Sequence, residues 1–398
     1  MSPDGGEPGA IEVSIIILNW NKSALTLNCV ESVKRYTRTR YEIIVVDNGS
    51  DPLELAAIKA GLDQQVRLIS LSRNMFFGEG NNIAVEAAHG KFVLFLNNDV
   101  TIGSDVTSAL IRDFAKCFSA GAIGPKFLYS NGVTQEAGGF LLPNGLSLGG
   151  GQLGQKIDPH FWRGCHIVDY CSAACLLVER RVFMKIGGFD PLFDPAYYED
   201  CDLCLRLRSI GLYTYFASET EVVHEKNMTS GDLWGRDKIG RIVEANHIKF
   251  LDRWGYYLEN RINGRAQLSD PLPAAASSVC NQTKENRLQI LFQSQRILEL
   301  SPSCRGLFSA AAALQNNFEI TIALPEVCSS LRVSLLCRHF GVQLNDVKLV
   351  RLSELGDRSY DYVFSLSNAE PADSGRESEE LMKSIYNLID HKSLAKDI

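Results

Sequence analysis

Apolar residues along this chain come in short continuous runs that alternate with amphipathic stretches. The run Val13-Ser-Ile-Ile-Ile-Leu18 is rich in β-branched residues, as a strand covered on both faces should be. A helix is expected over 24–36, a second buried strand over 42–46 and a helix over 53–61. A third strand is expected over 66–71, a helix over 79–88 entered through Gly78 and Gly80, and a fourth strand over 92–96. Strands alternating with helices through the first hundred residues predict a parallel sheet with right-handed crossovers.

The pattern then changes. Strands are expected over 122–129 and 167–179 without crossover helices, and the glycine-dense stretch 138–154 reads as a flexible loop or hairpin over a site. A helix at 201–210, short strands at 213–217 and 221–224, and a helix at 233–254 complete this part. Asp270-Pro-Leu-Pro-Ala-Ala-Ala-Ser-Ser278 has linker composition. Strands at 288–292, 318–324, 347–352 and 360–365 then predict a second, smaller α/β unit. The expected domains are a disordered tail at 1–11, an α/β domain at 12–265, a linker at 266–284 and a partial Rossmann-like unit at 285–398. The polar stretch after Tyr386 has no closing element, as in a piece of a longer polypeptide.

Composition narrows the function classes. The chain has 398 residues, 45% of them hydrophobic, and a net charge of −7. Lys and Arg are dispersed, so no nucleic-acid footprint is present. No apolar run approaches the roughly 20 residues of a membrane span. The polar Gly/Pro N-terminus lacks the charged-then-apolar order of a signal peptide, so a cytoplasmic location is expected. The 11 cysteines fit that location, since a buried thiol packs as a small hydrophobe. Cys201-x-x-Cys204 has no second pair at matching spacing, so core packing is expected rather than zinc.

Candidate chemistry sits where strands end. Asp47 follows the second strand, Asn97-Asn98-Asp99 the fourth and His224 a late one, while Glu199-Asp200 opens a helix. In open α/β sheets ligands bind at the carboxyl edge of the strands. A carboxylate delivered there needs a partner, and a divalent cation is a natural one. Each position alone also fits a turn or helix-cap residue. No G-x-G-x-x-G follows the first strand, which argues against a dinucleotide-binding dehydrogenase. A nucleotidyltransferase would need a basic, glycine-rich loop near the N-terminus, and 17–22 has no such glycines.

Together, Val13-Ser-Ile-Ile-Ile-Leu-Asn-Trp-Asn21, Ile44-Val-Val-Asp-Asn-Gly-Ser50, Asn74-Met-Phe-Phe-Gly-Glu-Gly-Asn-Asn82, Phe95-Leu-Asn-Asn-Asp99, Gly187-Gly-Phe-Asp190, Glu199-Asp-Cys-Asp-Leu-Cys-Leu-Arg206 and Val222-Val-His224 resemble the family 2 inverting glycosyltransferases of the A-type fold. The likeness spans 13–254 and is nearest to the rhamnosyl- and galactofuranosyl-transferase-like branch. The resemblance implies a nucleoside-diphosphate sugar donor (dTDP-rhamnose first, UDP-sugars next) and a glycan or lipid-linked glycan acceptor. It also implies an enzyme at the inner face of a membrane or free in the cytoplasm. Asp47 then reads the pyrimidine, with Asn19, Asn21 and Asn48 beside it. Gly78 allows close backbone approach to the ligand, and Asn81 opens a helix facing an anion. Asn97 stands where the family's metal motif has its first acid, with Asn98 next to it. Asp99 and His224 are the expected ligands of Mn²⁺ or Mg²⁺, and imidazole favours Mn²⁺. Asp200 is the expected base and Glu199 an orienting acid, with Asp202 on the helix surface or behind the site. Trp234, Arg236 and Lys238 are placed to hold a sugar face or the diphosphate. A nucleotide-sugar-binding module without catalysis is the alternative that Asn97 leaves open.

Overall fold

The computed structural model describes residues 10–149, 163–225, 230–261, 288–294, 298–315, 318–326, 328–345, 347–355, 360 and 362–366. The chain divides into two compact units, Met1–Pro271 and Leu272–Ile398.

The first hundred residues fold as their pattern predicts. Strands β1 (Val13–Asn19), β2 (Tyr41–Asp47), β3 (Val66–Ser70) and β4 (Phe92–Asn97) alternate with helices α1 (Ser23–Tyr36), α2 (Pro52–Gly61) and α3 (Phe76–Ala87). β1 pairs in parallel with both β2 and β4, and β2 with β3. The register sets Asn19 beside Asp47 and Leu18 beside Asn97. Three strand ends therefore share one edge, and the chain leaves β1 in opposite directions across it. That is the crevice where open sheets bind ligands.

The rest of the unit extends this sheet in mixed orientation. Its strands are β5 (Val100–Ile102), β6 (Ala120–Leu128), β7 (Thr134–Glu136), β8 (Gly139–Leu141), β9 (Ser147–Gly149), β10 (Cys165–Val168), β11 (Cys175–Glu179) and β12 (Tyr213–His224). Their helices are α4 (Val106–Lys116), α5 (Arg180–Ile186), α6 (Glu199–Ser209) and α7 (Ser230–Asn260). Among the described residues the main path runs β10-β12-β6-β11-β4-β1-β2-β3, with β5 on β12 and β7 on β6. β11 is antiparallel to β4 and β6, while β12 is parallel to β6. β12 thus ends at the same edge as β4. β5 folds back against it and sets His224 opposite Val100, next to Asp99.

Ile15, Ile17, Val45, Leu94, Leu96 and Leu177 form the central core with α1 and α4 residues such as Val33 and Leu110. Fully covered strands of this kind read as unbroken apolar runs.

Several boundaries differ from expectation. α3 begins at Phe76, not 79, because Asn74 Oδ1 accepts from Phe76 N and Asn48 Oδ1 accepts from Met75 N, which starts the turn early. The apolar stretch 167–179 is two strands, β10 and β11, at different places in the sheet. The pieces expected at 213–217 and 221–224 are one strand with a register shift between Ala217 and Glu221. Part of the glycine-rich stretch is the β8–β9 hairpin, and the remainder lies outside the described residues. So does the linker.

Gly49 shows how tightly the edge is built. Its φ is +72°, and a Cβ there would come within 2.1 Å of the Arg73 backbone. Only glycine meets both demands without strain.

The second unit is a parallel sheet, ordered β15-β14-β13-β16, from β13 (Leu288–Ser294), β14 (Phe318–Leu324), β15 (Val347–Arg351) and β16 (Tyr362–Leu366). Helices α8 (Pro302–Leu314) and α9 (Ser330–Phe340) link its strands. Residues 367–398 lie outside the described set.

Candidate active site

A cavity of about 430 Å³ opens at the shared edge. Asn97, Asn98, Asp99, Glu199, Asp200 and His224 all line it, together with Asn48 and Trp20. Two hydrogen bonds knit the acidic helix start to the end of β4. Asn97 N donates to Ala174 O at 2.8 Å, and Ala173 N donates to Asp200 Oδ2 at 3.4 Å.

Asp99 and His224 are both nearly buried, 7% and 9% exposed, and His224 Nε2 stands 3.3 Å from Asp99 Oδ1. That oxygen has no hydrogen-bond partner among the described residues. Asp99 and His224 are the two protein donors that suit a divalent cation here. Among the described residues no cluster of three or more His, Cys, Asp or Glu could hold a metal. A cation bound by these two takes its remaining oxygens from a diphosphate and water, the usual habit of Mg²⁺ and Mn²⁺. The orphaned buried oxygen and the adjacent imidazole fit that use.

Glu199 and Asp200 are adjacent acids at the start of α6. Burial pushes Glu199 well above the usual carboxylate range, and the Asp200 charge pushes it further. Glu199 Oε2 has no hydrogen-bond partner among the described residues. Burial also raises Asp200, but Cys201 N at 2.8 Å and Ala173 N oppose this by donating to its carboxylate. Two neighbouring acids in such different surroundings are pushed apart in their hold on a proton: burial and the Asp200 charge both raise Glu199, whereas backbone donors counter the rise at Asp200.

This has a consequence for stability. An acid whose folded pKa is raised binds its proton more tightly folded than unfolded. Its stability contribution is complete below the ordinary value near 4.5 and is lost as pH rises through the raised value. Melting temperatures from pH 4 upward are expected to fall less steeply in Glu199→Gln than in the wild type. Equal slopes would show that Glu199 ionises normally.

Other expected site residues are placed differently. Asn19 and Asp47 are fully buried and do not line the cavity. Asn19 Nδ2 donates to Asp47 Oδ1 at 2.9 Å, and Asp47 Oδ2 accepts from Ser50 N. Asn21 Oδ1 accepts from Asp51 N at 2.7 Å, tying the first loop to the second. At Gly78 a Cβ would meet Phe189 at 3.0 Å. Its small size serves packing of α3. Asn81 does not open a helix. It sits inside α3, donating to Phe77 O at 2.9 Å, because the helix starts five residues earlier.

Lys238 lines a separate shallow cavity of about 350 Å³ with Asp194, Arg241 and Lys249. The side chains of Trp234 and Arg236 lie outside the described set. Asp202 is not on the helix surface. It is wholly buried, accepting from Arg206 Nε at 2.6 Å, Arg253 Nη1 at 2.7 Å and Trp254 Nε1 at 2.9 Å. Cys201 and Cys204 pack in the core with Phe250 and Trp254, and burial lifts the Cys204 thiol to about 12.

Sequence reading missed Gln135, Glu136, Tyr170, Tyr197 and Tyr198, which also line the cavity. Tyr197 and Tyr198 both have positive φ, 74° and 73°. Consecutive non-glycine residues in that region are strained and need support. Asn246 of α7 supplies it, donating to Phe193 O, Ala196 O and Tyr197 O at 2.7, 2.8 and 3.1 Å. The Tyr-Tyr pair before two acids carries a faint signal, whereas Gln135 carries none.

Residues 14–184 match the family model "Glycosyl transferase family 2". A Sinorhizobium fredii protein, "Uncharacterized protein y4gI", is 30% identical over 55% of this chain and 25% of its own length. The "N-acetylglucosaminyl-diphospho-decaprenol L-rhamnosyltransferase" of Mycobacterium tuberculosis is 26% identical over 50% of this chain and 71% of its own. The chain thus spans about a quarter of the length of the first relative. A structure described as "GalNAc-T7 with UDP, GalNAc and Mn2+" aligns at 16% identity with a TM-score of 0.45, covering 55% of this chain and 44% of that one.

Proposed function

The chain carries a glycosyl transferase family 2 domain at residues 14–184, and from that premise we propose an inverting transferase that moves a sugar from a nucleoside diphosphate to a glycan hydroxyl. The observation that carries the proposal is a single cavity lined by Asp99, His224, Glu199 and Asp200. dTDP-rhamnose is the proposed donor and a UDP-sugar the next candidate. The proposed acceptor is a lipid-diphosphate-linked sugar, in keeping with the name of the mycobacterial relative. Among the described residues no helix is long and apolar enough to cross a membrane.

Asp200, which lines the cavity and accepts from two backbone N–H groups, takes the proton from the acceptor hydroxyl as it attacks the anomeric carbon. Glu199 beside it, which burial inclines to hold its proton, orients acceptor or sugar. Asp99 and His224 are the residues that would hold Mn²⁺ or Mg²⁺, and the cation would supply Lewis-acid stabilisation of the diphosphate leaving group. Asn48, Asn97 and Asn98 border the donor, while the buried Asn19–Asp47–Ser50 cluster and Asn21 fix the loops beside it. Tyr197 and Tyr198 frame the acceptor side.

The test is transfer itself. With Mn²⁺, dTDP-rhamnose and a polyprenyl-diphosphate-linked N-acetylglucosamine, the protein is expected to release dTDP and form a product of inverted anomeric configuration. Donor binding without release across dTDP- and UDP-sugars would instead favour a binding module, the reading that Asn97 suggests by leaving one carboxylate at the cation.

A further inference from the structure

We infer that Gln135 is the positioning residue that sets the His224 imidazole for a divalent cation, an inference that rests on the metal reading of Asp99 and His224 above. Gln135 lies in β7 and is 5% exposed. Its amide nitrogen donates to the His224 carbonyl oxygen at 3.1 Å, and its amide oxygen stands 2.7 Å from His224 Nδ1. A carbonyl oxygen only accepts, so the first bond fixes which end of the amide is the NH₂ group. The amide oxygen left facing Nδ1 also only accepts. Nδ1 must therefore carry a hydrogen, and in the neutral ring the Nε2 lone pair is free for a metal.

Nε2 is the nitrogen that stands 3.3 Å from Asp99 Oδ1. That oxygen is itself buried without a hydrogen-bond partner among the described residues. With the ring neutral, two buried acceptors thus face each other, an arrangement that a shared cation relieves. Phe127 packs its ring 5.6 Å from the imidazole and limits its rotation. Gln135 acts through His224: it selects the tautomer and fixes the ring plane, as partners behind metal-bound histidines do. The reaction itself does not involve its amide.

Two measurements on the full chain test this. Nitrogen-15 NMR of labelled histidine above pH 7, with His224 assigned by His224→Ala, is expected to show Nδ1–H in the wild type. Gln135→Leu is expected to shift the signal towards the other tautomer. Mn²⁺ binding, read by electron paramagnetic resonance with UDP or dTDP present, is expected to weaken about 10–100-fold in Gln135→Leu. Gln135→Glu keeps an acceptor for Nδ1–H but loses the donor to the carbonyl, and it is expected to retain most of the affinity. A merely structural role predicts that Glu is as damaging as Leu. Nε2–H in the wild type, or unchanged Mn²⁺ affinity in Gln135→Leu, would overturn the inference while leaving the metal reading standing. A wild type that binds no Mn²⁺ would overturn both, whatever the tautomer.

Discussion

Asp200→Asn is expected to lower turnover by about 10²–10⁴-fold, the usual worth of a positioned general base, while affinity for the nucleoside diphosphate is unchanged. The substitution preserves volume and leaves an oxygen that can still accept from Cys201 N, so the start of α6 keeps its place. What it removes is the capacity to take a proton. Glu199→Gln is expected to cost less, because burial and the Asp200 charge raise the Glu199 pKa and make it a poorer proton acceptor at the start of the reaction. Single-turnover rates for both variants decide the assignment. If Glu199→Gln proves the inactive one and Asp200→Asn turns over normally, the roles of the two acids are reversed.

The second large effect is on stability. Asp202→Ala is expected to cost about 3–5 kcal/mol, the usual result of removing one member of a buried charge network. Its carboxylate is wholly buried and accepts from Arg206, Arg253 and Trp254. Arg206 also donates to Ile186 O and Gly188 O, at 3.0 and 2.7 Å. Arg253 also pairs with Asp190 at 3.0 Å. One carboxylate thus ties α6 and α7 together, and its arginine partners reach the turn after α5 and the segment leading to Tyr197. Urea denaturation measures the loss. A change no greater than that of an exposed substitution, within about 0.5 kcal/mol, would show that water enters and solvates the arginines.

These two carboxylates show what the sequence discloses and what it hides. Asp200 and Asp202 stand two apart in one acidic run, and by pattern alone either could face solvent, ligand or core. Their separation depends on which side of α6 meets α7, and that is settled by Arg253 and Trp254, some fifty positions away. The same limit explains Gln135, whose meaning arises only when β7 is laid beside the end of β12. By contrast, β1 to β4 were legible because a strand covered on both faces must be apolar throughout, and the polar residues that end such runs fall at the sheet edge. Asp99 and His224 meet at that edge for the same reason. Asn81 falls inside α3 and not at its start because the side chains of Asn48 and Asn74 begin the helix three residues early.

The proposed function requires one cavity to bind a nucleoside diphosphate together with a divalent cation at Asp99 and His224. Thermal unfolding of the wild type and of Asp99→Asn, with UDP or dTDP and with or without Mn²⁺, tests it most directly. A ligand at 100 times its Kd adds about 2.7 kcal/mol to the folded state, which raises the melting temperature of a domain this large by roughly 2–4 °C per kcal/mol. The account predicts that at least one of the two nucleotides protects the wild type strongly with Mn²⁺ and weakly without it, and that Asp99→Asn abolishes the difference. No protection by either nucleotide with Mn²⁺ present would contradict it.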